Sequence, residues 1–200
     1  MRKGKEAKPQ RRYKQKARAA AAAATGEAII TSFWERLKTQ WFEDITLDSV
    51  AQDAGVTVQT VIRRFGGKAG LFEKAFQSIG KSIKIRREVR PGDIEFSVEV
   101  LNQDYEAVGD LVLRLLDQEA RHEAIKPFLE IGRKGHRDWL ETVFADSLKS
   151  LTPARKRAKL DALVIATDVY VWKLVRRDMG RSAAAFKTHA TRMLKAALAE

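Results

Sequence analysis

Apolar residues recur every three or four positions along most of this chain, the spacing that lines one face of an α-helix. Ala28, Ile29, Phe33, Leu37 and Trp41 form such a stripe after an alanine run at 19–24 of high helix propensity, so an amphipathic first helix is expected there. Leu47, Val50, Ala51 and Ala54 repeat the spacing behind Thr46, and Val61 and Phe65, four apart, repeat it behind Thr57. Each threonine hydroxyl can accept from the free N–H groups of a first helical turn. Short helices are therefore expected over 46–54 and 58–65. Between them Gly55 stands where a helix end needs a left-handed residue, and Val56 is an apolar anchor. Two short helices joined by a tight glycine turn make a helix-turn-helix, and the first helix should cover their inner faces through Leu47, Val50, Val61 and Phe65.

Beyond Gly66-Gly67, Lys68 opens a fourth helix carrying Leu71, Phe72, Ala75, Phe76 and Ile79. Pro91-Gly92 punctuates the chain, and the domain boundary is expected there. From Asp93 the pattern predicts helices over 93–103, 105–122, 125–150, 154–178 and 182–198. Ile94, Phe96, Val98 and Val100 also fit a short alternating strand, but such a strand would have no partner, so helix is preferred. The fold class expected is all-α: a three-helix helix-turn-helix domain over 19–90 and a helical domain over 91–200.

On the helix at 58–65, Val61 and Phe65 share one face and look inward, which leaves Gln59, Thr60, Ile62, Arg63 and Arg64 mostly outside. Gln and Arg suit base edges, and Thr suits phosphates or thymine methyls. The charge distribution favours the same partner. Residues 1–90 hold 20 Lys/Arg and 9 Asp/Glu, a net of +11, whereas residues 91–200 hold 18 and 17, a net of +1. A polyanion partner for the first half follows, because each neutralised phosphate releases counterions. Residues 1–18 form a basic arm with Arg11, Arg12, Lys14, Lys16 and Arg18 against one acid, Glu6; with almost no apolar side chain it is expected to be disordered and able to follow a phosphate backbone or enter a minor groove. The start of the fourth helix, with its free N–H groups and Lys68, suits another phosphate.

The residues Thr46, Val50-Ala51, Ala54-Gly55-Val56-Thr57, Thr60-Val61, Arg63, Phe65, Lys68 and Leu71-Phe72 together resemble the DNA-binding domain of TetR-family transcriptional regulators. The resemblance implies a sequence-specific regulator of double-stranded DNA, a ligand-responsive repressor acting as a homodimer on a palindromic operator. It puts Gln59, Thr60 and Arg63 toward bases, and Thr46, Thr57, Arg64 and Lys68 at backbone contacts or helix caps. Two positions depart from the family pattern: Ile62 replaces an aromatic that touches the DNA backbone, and Trp41 replaces a glycine that commonly ends the first helix.

The run LDALVIATDVYVWKLV at 160–175 is apolar around most of a helix and needs burial on two sides. One side suits its own domain and the other a second chain, with Val164, Val171 and Val175 matched by a stripe of Phe186, His189, Met193 and Ala197. The resemblance agrees, since these regulators dimerise through their last two long helices, and a two-fold dimer presents two recognition helices to a palindrome. Between the helices of the second domain, Tyr105, Val112, Leu116, Phe128, Trp139, Phe144 and Trp172 are candidates to line a pocket for a small-molecule effector, with His136 and Asp168 as polar contacts.

Other chemistries find little support. There is no cysteine, and His122, His136 and His189 lie far apart, so no metal site is expected. No nucleophile elbow, phosphate-cradling loop or paired-carboxylate motif occurs, so neither an enzyme nor a cofactor is expected. No apolar run reaches membrane-spanning length, and a soluble cytoplasmic protein is the expectation. The rival readings are a sequence-tolerant architectural DNA-binding protein and an α-helical enzyme or carrier with a vestigial helix-turn-helix.

Overall fold

The expected all-α class is what the chain adopts: in the computed structural model, which describes residues 9–199 and the side chains at 13, 15–77 and 87–199, every regular element is helical. The chain divides inside one helix, after Ala75, into units of residues 1–75 and 76–200. That helix, α4 (Lys68–Arg86), gives Leu71, Phe72 and Ala75 to the first unit's core, while Phe76 packs in the second unit with its ring 4.8 Å from that of Phe128. Pro91-Gly92, expected as the boundary, is a turn before α5, with Gly92 at φ 71°.

The first unit comprises α1 (Pro9–Leu37), α2 (Leu47–Asp53), α3 (Val58–Phe65) and the start of α4. Its interior holds Ile29, Phe33, Leu37, Val50, Ala51 and Val61 as the spacing predicts, together with Phe42, Ile45, Leu71 and Phe72. The Phe33, Phe42 and Phe72 rings meet edge to face at centroid separations of 6.5, 6.4 and 5.0 Å, the geometry that aromatic quadrupoles favour. Ala28 and Trp41 leave the predicted stripe and are exposed; α1 ends at Leu37, so the helical phase is lost before Trp41, and Phe42 turns inward in its place. Arg36 grips Asp53 with two hydrogen bonds of 2.6 and 3.0 Å, which ties α1 to α2.

The other end of α1 corrects an expectation. The helix begins at Pro9, so residues 9–18, read as disordered, are helical, and only residues 1–8 of the basic arm lie outside the described residues. Proline suits a first helical position, and the alanine run that follows carries the helix backward through a segment with no core of its own.

The second unit is built on α5 (Ile94–Gln118), one helix where two were expected, started by Asp93 accepting from the Phe96 N–H at 2.9 Å. Around it stand α6 (Lys126–Val143), α7 (Ala145–Leu148), α8 (Pro153–Thr167), α9 (Val169–Lys173) with a π-helical turn at Leu174–Asp178, and α10 (Ala183–Ala199). The expected single helices over 125–150 and 154–178 are each interrupted, at Phe144 and Asp168. Asp168 takes up extended backbone, φ −66° and ψ 150°, and its carboxylate caps α9 by accepting from the Tyr170 N–H at 2.9 Å. Trp172 is fully buried at the centre of this unit, and a Cβ at Gly109 would stand 2.6 Å from its ring, so α5 and α9 approach to a distance that only glycine permits.

Candidate functional site

The turn between α2 and α3 is set by backbone chemistry that the sequence specifies residue by residue. Thr46 accepts from the Ser49 N–H at 3.1 Å and starts α2. At its end Gly55 adopts φ 65°, the Gly55 N–H donates to Gln52 O at 3.1 Å and the Val56 N–H to Ala51 O at 2.9 Å, the paired bonds of a left-handed helix terminus. Thr57 then accepts from the Thr60 N–H at 3.3 Å and opens α3, which Gly66 closes at φ 74° by donating to Ile62 O at 2.8 Å. Neither glycine position suits a side chain without strain.

Val61 is fully buried and fixes the rotation of α3, with Val58 and Phe65 half-buried beside it. Gln59, Ile62, Arg63 and Arg64 consequently face outward and exposed, as expected from sequence. Thr60 is half-buried, its hydroxyl 3.0 Å from that of Thr57, so it extends the cap toward the exposed face. The Arg64 guanidinium crosses α1 at Gly26, where a Cβ would meet its Nη1 at 3.1 Å. Gly70 is closer still to its neighbour: a Cβ there would lie 1.9 Å from Phe65 O, and this contact sets α4 directly against the end of α3. The sequence reading missed both glycines; a glycine inside a helical pattern is itself the available signal.

Lys68, expected at a phosphate, has its ammonium engaged within the unit. Its Nζ donates to Glu43 O at 3.0 Å and stands 4.5 Å over the Phe42 ring. Burial pulls its pKa below the usual lysine value, opposed by the nearby charges of Asp44 and Glu43. Lys68 thus pins the start of α4 to the loop before α2.

The second unit contains a buried polar cluster at which three of the expected pocket residues meet. Arg87 donates through Nε to Asp104 at 2.8 Å and through Nη1 to His136 Nδ1 at 3.0 Å. A guanidinium only donates, so Nδ1 is the acceptor, the ring proton sits on Nε2, and Nε2 donates to Thr167 Oγ1 at 2.9 Å; that hydroxyl in turn donates to Leu163 O at 2.8 Å. Burial, and secondarily the Arg87 charge, push the His136 pKa down to about 3 and keep the ring neutral. The Tyr105 hydroxyl donates to Thr167 O at 2.7 Å, and burial pushes its pKa up. The Trp139 ring stacks on His136 at 6.3 Å with the Arg87 guanidinium 5.6 Å from it, and its buried Nε1 has no hydrogen-bond partner among the described residues. One cluster thereby joins the residue after α4 to α5, α6 and the end of α8.

The remaining pocket candidates have other surroundings. Trp172 fills the core beside Tyr105 and donates to Glu106 at 2.9 Å; Asp168 is the α9 cap; Phe128 packs on Phe76; Leu116 is half-buried against the core. Among the expected dimer contacts, Val175 and Phe186 are corrected, being buried in their own unit's core. Val164, Val171, Met193 and Ala197 are half-buried on the edge of that core, and His189 is exposed. The large apolar side chains that α8, α9 and the π-turn leave outside are Ile165, Tyr170 and Leu174, on the other phase of the run that was expected to need burial on two sides. Among the described residues no helix is long and apolar enough to cross a membrane, and no cluster of three or more metal-ligating side chains forms.

No protein family's sequence profile matches the chain, and no curated protein matches it. Solved structures do. A candidate TetR-family transcriptional regulator from Rhodococcus sp. superposes with a TM-score of 0.69 at 14% identity, over 87% of this chain and 98% of that one. A transcriptional regulator from Rhodococcus sp. Rha1 gives 0.68 at 15% identity, over 87% and 96%. A candidate TetR-family transcriptional regulator from Mesorhizobium loti gives 0.62 at 15% identity, over 89% and 96%. At these identities the similarity is one of fold, and it extends over both units.

Proposed function

We propose that this chain is a TetR-family regulator of transcription, a sequence-specific DNA-binding protein acting as a homodimer on a palindromic operator in the cytoplasm. The observation that carries the reading is α3 itself. A helix held at both ends by its caps and in rotation by Val61 presents Gln59, Ile62, Arg63 and Arg64 together on one exposed face. Gln and Arg are the side chains that pair with adenine and guanine edges in a major groove, and Ile62 adds an apolar contact suited to a thymine methyl. Thr46 caps α2, Thr57 and Thr60 cap α3, and Lys68 ties the start of α4 to the loop before α2, which supports the reading by fixing the frame around that face.

Dimerisation falls to the second unit, through α8 to α10, where the exposed Ile165, Tyr170 and Leu174 call for cover. Repression relieved by a small-molecule effector completes the proposal. The buried cluster is the candidate effector site, because the buried Trp139 N–H has no acceptor among the described residues and stands beside the charged Arg87 guanidinium. Arg87 directly follows α4, the helix that begins after the Gly66-Gly67 turn at the end of α3. An effector bound at Arg87 would favour one α4 anchorage over another, and its influence on DNA affinity is limited by its differential affinity for the two states.

Selection of bound duplexes from a random pool by the purified protein, near physiological salt, tests the reading. An enriched inverted repeat with half-sites one helical turn apart, about 34–36 Å, or a multiple of it, is the expected result. An unenriched pool that is nevertheless retained tightly at low salt would replace the regulator with a sequence-tolerant architectural protein.

A further inference from the structure

We infer that the N-terminal half of α1 is a second DNA-binding element, a cationic helix that lies along the phosphate backbone flanking the half-site read by α3. The inference rests on the DNA-binding reading above and adds a contact surface to it.

A helix resting on its own protein buries a residue in every three or four. From Gln15 to Ala24 every residue of α1 is exposed, ten consecutive positions that cover the full circumference, and Tyr13 before them is 75% exposed. This half of α1 therefore stands clear of the first unit, and burial begins only at Thr25 and Gly26. Between Pro9 and Arg18 the sequence places Arg11, Arg12, Lys14, Lys16 and Arg18 and no acid.

The spacing of those charges is unfavourable for a helix alone in water. Arg11, Lys14 and Arg18 fall at i, i+3 and i+7, with Arg12 and Lys16 at i and i+4 beside them, so like charges repel along adjacent stripes. They also crowd the end of the helix whose dipole is already positive. Both penalties turn into gains beside a polyanion. The five positions span a little over half the circumference, and the remainder carries Tyr13, Ala17, Ala20 and Ala24, so one side faces phosphates and the other is nearly uncharged.

Helicity also selects the mode of contact. A helix does not enter a minor groove about 6 Å wide, which an extended arm can do, so the backbone is the surface that fits. Pro9 to Ala24 spans 16 residues, about 24 Å at 1.5 Å per residue, or roughly seven base-pair steps at 3.4 Å. The extension therefore needs DNA beyond the half-site.

The experiment measures the salt dependence of binding to the selected repeat in two duplexes, one trimmed to the repeat and one extended by about ten base pairs on each side. The full chain is compared with the five-fold variant Arg11→Ala, Arg12→Ala, Lys14→Ala, Lys16→Ala, Arg18→Ala and with the charge-preserving helix breaker Ala20→Pro, Ala22→Pro. On the extended duplex the five-fold variant should bind more weakly, with the slope of log K against log salt reduced by about 0.9 for each phosphate it no longer neutralises. On the trimmed duplex the two proteins should differ little. The helix breaker should lose affinity on the extended duplex despite its unchanged charge. Equal slopes for the full chain and the five-fold variant on the extended duplex would overturn the inference while leaving operator recognition standing. A helix breaker that binds like the full chain would overturn it too, reducing the segment to a flexible charged tail. If the random pool yields no motif, the same comparison on an arbitrary extended duplex separates the two claims, because an arm-dependent slope there would sustain the extension after the regulator reading had failed.

Discussion

In the first unit Arg63 and Arg64 stand exposed on α3 with no ion-pair partner among the described residues, whereas in the second Arg87 holds Asp104, Arg176 holds Glu106 and Arg177 holds Asp110, each at 2.6–2.9 Å. The net charges of the two units, +7 over residues 1–75 and +5 over 76–200, do not show this difference; the pairing does. Where acids are matched to bases the charges organise a fold: the Glu106 pKa is lowered chiefly by the hydrogen-bonded Arg176 guanidinium, and that of Asp110 by Arg177. Where bases are left unmatched on a rigid scaffold, they are available to an external anion. A tally of cations alone does not make this distinction; the partners do.

If that contrast is right, truncations in the second unit damage stability and those on α3 damage recognition. The largest effect is expected at Trp172, fully buried and bonded to Glu106: Trp172→Ala should cost about 3–5 kcal/mol in urea unfolding. Arg87→Met should cost about as much, 3–5 kcal/mol, because the buried Asp104 side chain, 3% exposed, and His136 Nδ1 would both lose the guanidinium that donates to them. Gly109→Ala comes next, at about 1–3 kcal/mol, since its Cβ would stand 2.6 Å from the Trp172 ring; an unchanged urea midpoint would show that α5 and α9 have slack.

The buried histidine gives the contrast a pH signature. The folded-state pKa of His136, about 3, lies below the ordinary 6.5, so the unfolded chain takes up the proton first. The stability contributed by neutral His136 is complete above pH 6.5 and declines as pH falls toward 3, by up to about 1.4 kcal/mol per pH unit. His136→Gln should flatten the stability profile between pH 6.5 and about 5, above the carboxylate range. The smallest effect belongs to the helix-turn-helix: Thr57→Ala should lower the melting temperature through the loss of about 1 kcal/mol of capping, and an unaltered melting temperature would show that the cap adds nothing to stability.

The first unit was nearly all legible in the sequence because its determinants are local. Thr46, Gly55, Thr57 and Gly66 act within a few residues of themselves, and the bounds of α3, Val58–Phe65, coincide with the spacing that predicts them. What the sequence hid was long-range. Nothing near Lys68 announces that Glu43 O and the Phe42 ring occupy its ammonium, and nothing near His136 announces Arg87 on one side and Thr167 on the other. Phe186 shows the same limit: an apolar stripe says that a face is covered, not whether its own chain or a second one covers it, and here its own core does. Pro91-Gly92 is a conspicuous break in the sequence, whereas the compact units part inside α4, after Ala75, where no local signal marks the change.

The most direct test of the α3 assignment is selection from one random duplex pool by the wild-type protein and by Arg63→Ala in parallel, with urea unfolding of both. Wild type should enrich an inverted repeat. The variant should unfold within about 0.5 kcal/mol of wild type and return the same repeat, with one base position per half-site degenerate and affinity for the original repeat lower by about 1–3 kcal/mol. An identical motif from both proteins, or equal loss on the repeat and on random DNA, would contradict base reading by this face of α3.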